Sequence, residues 1–420
     1  MLRNYLGNKL FKSFSVYVFS NLFNSAIGLL LLPLFTHYLN PSDYGILSLI
    51  NTAVAIFSIL IMVGSDGSLR REFYNSSGSK YSTYFSSSVF TTLIAFLLVV
   101  VVAIGTQHWI VPLSQIPSKW FFLSILISAL SILPTILLGQ YRLEQKAFSF
   151  AVFSNLMTLL NLGMGILFVA ILNMNYEGRG YSLIITNIVF CVVSIVILRR
   201  KKLFGKNLVK QDMKASLNYG LPLIPHQVGS LLMNFSDRYF IANLVSLSEA
   251  GFYNVGYTIG SLIGKIEGSF TQAFVPFLFE QLGKNTPEAD KKIVKVSYIF
   301  IAGLLISTVL MYFFSEIVYK YFIDAKYLPG KKFVILIGFG YFFSGCYKLF
   351  AGYIFYTKKT IYLTYLSVFN VVVNVTLNYF LISNYGTIGA AYATLISFFL
   401  MCLITFLISY KIRPMPWLLK

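Results

Sequence analysis

The chain has 420 residues, of which 57% are hydrophobic and 11% charged, and its formal net charge is +19. Soluble domains carry about 25% charged residues, so a water-soluble globular protein is excluded. The basic residues lie in short connectors between long apolar runs rather than in a basic domain or tail, which excludes a nucleic-acid partner and points to a membrane.

A helix crosses a bilayer with roughly 20 apolar residues. The runs here are continuous, unlike the short alternating segments of a β-barrel. The chain therefore reads as an all-α integral membrane protein with about twelve transmembrane helices. In chain order the predicted spans are 13–37, 45–67, 82–104, 119–140, 149–172, 180–198, 217–242, 251–275, 293–315, 332–356, 361–383 and 388–410. The first follows the basic stretch Met1–Ser13 and is too long for a signal-peptide core, so it is expected to be an uncleaved helix. The longest connectors are 200–216, 276–292 and 316–331. Cys191, Cys346 and Cys402 all fall inside apolar runs and read as packing residues. No disulfide, metal site or cofactor is expected.

Orientation follows from Lys and Arg. With the N-terminus inside, 24 of the 33 fall in inside segments and 6 outside, and Arg238, Lys265 and Lys348 remain within helices. This places both termini in the cytoplasm.

Two segments echo at half length. Leu39-Asn40-Pro41-Ser42-Asp43-Tyr44-Gly45, after the first span, matches Val245-Ser246-Leu247-Ser248-Glu249-Ala250-Gly251, after the seventh. Asn161, Tyr176 and Gly180 correspond to Asn370, Tyr385 and Gly389 at nearly the same offset. The reading is two six-helix bundles related by an internal repeat: 1–200, a basic cytoplasmic connector 201–216, and 217–420. Repeats of this kind are a transporter device, with the substrate site between the halves.

Residues three, four and seven apart share a helix face. Polar faces occur on four spans: Ser20, Asn24 and Gly28 on the first; Ser48, Asn51 and Asp66 on the second; His226, Asn234 and Asp237 on the seventh; Thr258, Lys265 and Gln272 on the eighth. Spans 3, 6, 9 and 12 are close to uniformly apolar. Hydrogen bonding between helices accounts for much of the Ser and Thr. A charge in the membrane, by contrast, costs several kcal/mol unless paired or wetted. Lys265 and Glu267 are two residues apart and cannot share a face. Lys348 lies on a Tyr341–Gly345–Lys348–Gly352 face, and Asp237 and Arg238 are adjacent. One reading is a water-filled cavity whose Arg238, Lys265 and Lys348 receive an anion. The other is structural ion pairs, with Asp237 or Glu267 neutralising a basic neighbour. Pro222 and Pro225 read either as N-terminal prolines or as a bend between bundles.

The run Gly64-Ser65-Asp66-Gly67-Ser68-Leu69-Arg70-Arg71-Glu72-Phe73-Tyr74 resembles the Wzx-type polysaccharide repeat-unit flippases. So do Leu221-Pro222-Leu223-Ile224-Pro225, Ser236-Asp237-Arg238-Tyr239, Gly251-Phe252-Tyr253 and Tyr385-Gly386-Thr387-Ile388-Gly389-Ala390-Ala391. The resemblance runs the whole length. It implies the multidrug/oligosaccharidyl-lipid/polysaccharide exporter fold. It also implies flipping of undecaprenyl-diphosphate-linked oligosaccharide across the bacterial inner membrane, beside polymerase and chain-length proteins. Arg70, Asp237 and Arg238 carry over as family landmarks.

Arg70, Arg238, Lys265, Lys348, Asn24, Asn51, Asn234 and Gln272 are thus the candidate substrate-binding residues, and Asp66, Asp237 and Glu267 the candidate ion carriers. The alternative is a multidrug or small-metabolite exporter of the same fold. An enzyme is not expected: the histidines are His37, His108 and His226, none followed by an acid at the H-x4-D acyltransferase spacing, and no P-loop, metal cluster or nucleophile triad is visible.

Overall fold

A computed structural model describes residues 16, 19–20, 23–24, 26–28, 31–76, 78–357, 359 and 361–418, apart from the side chains of residues 226, 230, 232–234, 272–273 and 276. Ten of the 25 residues of the first predicted span, 13–37, lie outside the described residues. Its last helical part is α1, residues 31–38. Then come α2 Pro41–Met62, α3 Ser65–Asn75, α4 Gly78–Ser114, α5 Ser118–Leu143, α6 Ala147–Gly165 with a π-helical extension Ile166–Ile171, α7 Asn175–Arg200 and α8 Lys210–Gly220. The rest are α9 Ile224–Leu244, α10 Leu247–Gly260, α11 Leu262–Lys284, α12 Pro287–Tyr321, α13 Lys331–Tyr356, α14 Ile361–Tyr385 and α15 Ile388–Ile412. No strand occurs among the described residues.

Nine helices among the described residues are long and apolar enough to cross a membrane: α2, α4, α5, α6 with its extension, α7, α12, α13, α14 and α15. Of the remaining helices, α9 carries Asp237 and Arg238, and α11 carries Lys265 and Glu267. They have 21 and 23 residues, long enough to span. Their charged and polar residues, not their length, keep them from standing out as apolar helices. The protein is a multi-pass membrane protein.

Three predicted spans break where they were drawn as continuous. The second stops at Met62, because Val63 and Gly64 turn left-handed at φ 45° and 67° and α3 starts afresh. The seventh is split by a 3-10 turn, Leu221–Leu223, between α8 and α9. Pro222 in that turn has no N–H with which to continue an α-helical ladder. The eighth is divided at Ser261 into α10 and α11, and α11 runs to Lys284, through most of what reads as a connector. Two helices are also longer than predicted. α4 has 37 residues and α12 has 35, so α4 is about 55 Å long against a hydrocarbon core of about 30 Å. Its exposed face, with Leu97, Leu98 and Val101 each more than half exposed, is the uniformly apolar surface expected of a lipid-facing helix.

The chain divides into two compact units, Met1–Leu231 and Leu232–Lys420. In the first, α5 packs against α2 and α7, while α4 carries α3 and α8. The tightest approach is between Gly64 and Gly220, where a Cβ on Gly220 would lie 1.6 Å from the Val63 carbonyl oxygen. Connectors predicted on the same side gather at the same end. At one end, Glu144 accepts hydrogen bonds from Lys146 at 2.8 Å, from Gln140 at 3.0 Å and from Lys201, and Ser82 donates to the Lys202 carbonyl at 2.9 Å. At the other, Lys119 pairs with Glu177 at 3.2 Å.

In the second unit α13 is the hub, packed by α10, α11, α12 and α15. Its Phe333, Ile337, Leu349 and Ile354 are almost fully buried. Gly256, Gly260 and Gly264, one per turn of the α10–α11 segment, press against α13 and the residue that precedes it, where a Cβ would meet Gly330, Val334 or the Tyr341 ring at 2.3–2.7 Å. Small residues at four-residue spacing let membrane helices approach this closely. At one end Arg413 of the C-terminal segment pairs with Asp290 of the 276–292 connector at 3.2 Å, and at the other Lys331 and Glu316 pair across the 316–331 connector at 2.5 Å.

Two predictions follow from the packing of the first unit. Gly220→Ala should destabilise the protein by about 3 kcal/mol, since backbone rather than a flexible side chain blocks the new methyl. A thermal midpoint in detergent equal to wild type would contradict the close approach. Burial pushes the Glu144 carboxyl up, but the hydrogen bonds from Lys146, Lys201 and Gln140 outweigh it and hold it below the usual carboxylate range. A depressed folded value stabilises the protein at pH above the unfolded carboxylate value, about 4.3, and that contribution is lost as pH falls through the folded value. Glu144→Gln should therefore lower the thermal midpoint at neutral pH, and the gap to wild type should close below about pH 4. A gap that does not change with pH would show that charge plays no part.

Candidate functional site

The second unit holds two buried ion pairs. On α9, Asp237 and Arg238 are 2% and 3% exposed. Asp237 Oδ1 accepts from the Arg238 guanidinium and from its backbone N–H, both at 2.8 Å. Its Oδ2 accepts from the Tyr253 hydroxyl at 2.7 Å. Arg238 Nε donates to Asn254 Oδ1 at 3.3 Å, and its guanidinium lies 3.9 Å from the Tyr257 ring centroid. The Tyr257 hydroxyl in turn lies 2.8 Å from the Tyr341 hydroxyl on α13. Tyr253 and Tyr257 reach this site together because they are four residues apart on α10. The guanidinium thus has a carboxylate, an amide and an aromatic face around it, as a buried arginine requires.

The second pair joins α11 to α13. Glu267, 1% exposed, accepts from Lys348 Nζ at 2.5 Å and from the Ser344 hydroxyl at 3.2 Å, both on Oε1. Oε2 has no hydrogen-bond partner among the described residues. Gly345 makes room for the carboxyl: a Cβ there would lie 3.0 Å from Oε2. The Tyr341–Gly345–Lys348–Gly352 face singled out in the sequence is thus the seam that α13 turns toward α10 and α11. The lysine end of the pair is 37% exposed, so this ion pair spans from core to surface. Lys265, two residues before Glu267, is exposed.

The other predicted residues are dispersed. Asn24 donates to Ser154 on α6 at 2.8 Å, and Asn51 is exposed on α2. On α3, Arg70 binds Asp66 through two hydrogen bonds, at 2.5 and 3.3 Å, with the arginine side chain 48% exposed. The side chains of Asn234 and Gln272 lie outside the described residues.

Two polar constellations escaped the sequence reading. In the first unit Arg179, counted as a connector residue, belongs to α7. It donates to Ser182 at 2.8 Å and to the Asn161 side chain, and its guanidinium lies 5.2 Å from the Phe35 ring centroid. In the second unit Asn370, Asn374 and Asn378 form a fully buried stripe down α14. Asn378 donates to Ser236 and to Asn374, at 3.3 and 3.1 Å, and Asn374 donates to Ser397 on α15 at 3.3 Å. Their four-residue spacing in an otherwise apolar run was a readable signal.

Residues 10–282, more than half of the chain, match the sequence model of the family described as "Polysaccharide biosynthesis protein". The chain belongs to this polysaccharide biosynthesis family. Residues 222–380 also match the MatE family. The chain is 23% identical over 376 residues to "Lsg locus putative protein 1" of Haemophilus influenzae, covering 87% of this chain and 90% of that one. It is 23% identical over 370 residues to an "Uncharacterized membrane protein" of the same organism, covering 87% and 88%.

Among solved structures, the lipid II flippase MurJ in an inward closed conformation superimposes with TM-score 0.75 at 16% identity, covering 94% of this chain and 87% of that one. An inward-facing multidrug resistance MATE family transporter of the MOP superfamily gives 0.70 at 13% identity, covering 92% and 94%. At such identities the likeness is one of fold. That fold is the all-helical, multi-span membrane architecture read from the sequence.

Removing one partner of a fully buried pair leaves an uncompensated charge and costs about 3–5 kcal/mol. Asp237→Asn should therefore lower stability by that order, and adding Arg238→Gln should recover part of the loss. Additive losses in thermal unfolding would show that the two side chains are not coupled.

Proposed function

We propose that the protein is a flippase that moves an undecaprenyl-diphosphate-linked oligosaccharide repeat unit from the inner to the outer leaflet of the bacterial cytoplasmic membrane. Membership of a polysaccharide biosynthesis family and the likeness of fold to a lipid II flippase support this reading. The observation that carries it is the presence of lysines in a helical membrane bundle, Lys265 exposed and Lys348 partly so. Charged side chains cost about 3 kcal/mol each at mid-membrane; Lys348 meets that cost in part through Glu267, and the exposed ends of both lysines suit a water-filled path for an anion. Basic groups would hold the diphosphate through charge-assisted hydrogen bonds. Arg70, Asn24, Asn51, Asn234 and Gln272 would present polar groups to the substrate, and Arg238 would act by fixing α9 on α10. The distribution of Lys and Arg supports cytoplasmic termini, and the basic connector 201–216 supports a boundary between repeated halves; polymerase and chain-length proteins of a polysaccharide pathway would be its neighbours.

Alternating access needs an energy source. Of the acids considered, Asp66 is in an exposed pair and Asp237 has both oxygens occupied. Glu267 keeps one oxygen without a hydrogen bond and shares the other with a lysine that reaches the surface. It is the preferred carrier of a coupling proton or cation. The MatE match favours one second reading, a drug or metabolite exporter. A cation exporter needs acidic groups on its path, and the excess here is basic.

The test is made in the native host. Deleting the gene should cause lipid-linked single repeat units to accumulate and surface polymer to disappear. Complementation with Lys265→Ala or Lys348→Ala should leave insertion intact and restore little polymer. Unchanged surface polymer in the deletion strain would favour the exporter instead.

A further inference from the structure

The first unit contains a groove of about 430 Å³ that none of the transport chemistry uses. Its walls are α4, with Phe90, Leu93 and Phe96, and α5, with Ile132 and Leu133; its cap is Phe204 on the connector between α7 and α8. The connector is strapped down at this point. Gly205 N–H donates to the Ser86 hydroxyl at 2.7 Å, and Val209 N–H to the Ser87 hydroxyl at 3.0 Å. Gly205 comes so near α4 that a Cβ would lie 2.9 Å from the backbone of Ser82 and Thr83. The Thr92 hydroxyl is spent on the Val89 carbonyl at 2.7 Å. The polar groups of the groove are thus engaged with one another or with backbone, and the surface left for an occupant is apolar.

Two further observations select the occupant. The stretch of α4 that lines the groove, Ser86 to Phe96, rises about 15 Å, which is the depth of one leaflet in a hydrocarbon core of about 30 Å. At the connector end the chain is strongly basic. Arg199, Arg200, Lys202, Lys206 and Lys210 are all exposed there, and Asp212 is the single acid between 199 and 216. Exposed Leu208 and Val209 sit between Lys206 and Lys210, so the connector offers apolar side chains to the bilayer and cations to its headgroups.

We propose that this groove binds an anionic phospholipid of the connector-side leaflet, with one acyl chain between α4 and α5 and the phosphate against Lys206 and Lys210. The site is separate from the charged residues of the second unit and does not depend on what the protein transports. Its effect would be to clamp the connector onto α4.

The test uses the full-length protein in phosphatidylcholine vesicles containing a phosphatidylglycerol with a photoactivatable group in its acyl chain. After irradiation, peptides covering 86–96 and 129–133 should carry most of the label, and unlabelled phosphatidylglycerol should compete several-fold better than phosphatidylcholine. Lys206→Gln with Lys210→Gln should abolish that preference, and Ala129→Phe, which fills the groove, should reduce labelling several-fold. Label spread evenly over the lipid-facing helices would overturn the proposal, because annular contact would explain it. Equal competition by the two lipids would overturn it as well. So would a groove labelled by a photoactivatable polyprenyl phosphate and not by phosphatidylglycerol. The wild-type labelling map decides the matter even if a variant fails to fold.

Discussion

A charge inside hydrocarbon has to be paired, hydrogen-bonded or wetted, and the polar chemistry of this protein is arranged around that constraint. Asp237 and Arg238 meet it with each other, two tyrosines and an asparagine. Glu267 meets it on one oxygen only. The first pair is closed on every side and reads as architecture. The second keeps one buried carboxyl oxygen without a hydrogen-bond partner and reaches the surface only through its partly exposed ammonium, so a proton or ligand could enter from the lysine end. The proposed division, with Asp237 and Arg238 positioning and Glu267 and Lys348 serving transport, rests on this difference between the two pairs.

The same constraint decides where the backbone breaks. A helix interrupted in lipid leaves N–H and C=O groups without partners, so breaks survive only where protein covers them. The break at Val63–Gly64 lies against Gly220, backbone to backbone, and the junction at Ser261 lies on a segment whose glycines press against α13. Glycine serves two ends here: a left-handed turn at Gly64, and room for a neighbouring helix at Gly256, Gly260 and Gly264. Interruptions therefore fall beside the charged helices α9 and α11, while α4 and α12 run on unbroken for more than 30 residues.

Much of this was legible in the residues. Long apolar runs define helices whatever their neighbours, so nine of the twelve predicted spans return among the described residues as helices long and apolar enough to cross a membrane. The basic residues sort the connectors onto ends that the packing reproduces within each unit. The face of α13 was readable because Tyr341, Gly345, Lys348 and Gly352 repeat at helical spacing. What the chain hid were relations between distant residues. That Glu267 would choose Lys348 over nearby Lys265 depends on Gly345 admitting the carboxyl. Arg179 looked like a connector residue because α7 begins earlier than its apolar run. The breaks at Val63 and Ser261 depend on partners more than 70 residues away, and no local pattern announces them. The asparagine stripe of α14 is different: its spacing was visible, and only its partners were not.

The measurement that bears most directly on the central claim is translocation by purified protein. Liposomes are loaded with an undecaprenyl-diphosphate-linked oligosaccharide, and the appearance of sugar on the far face is followed with a glycosidase that cannot cross the membrane. The account predicts rapid exposure with wild-type protein, slow exposure with Glu267→Gln, and the rate of empty liposomes with Lys348→Ala, all three proteins being folded. Exposure no faster than in empty liposomes, with export of a small cationic dye by the same wild-type preparation, would contradict it.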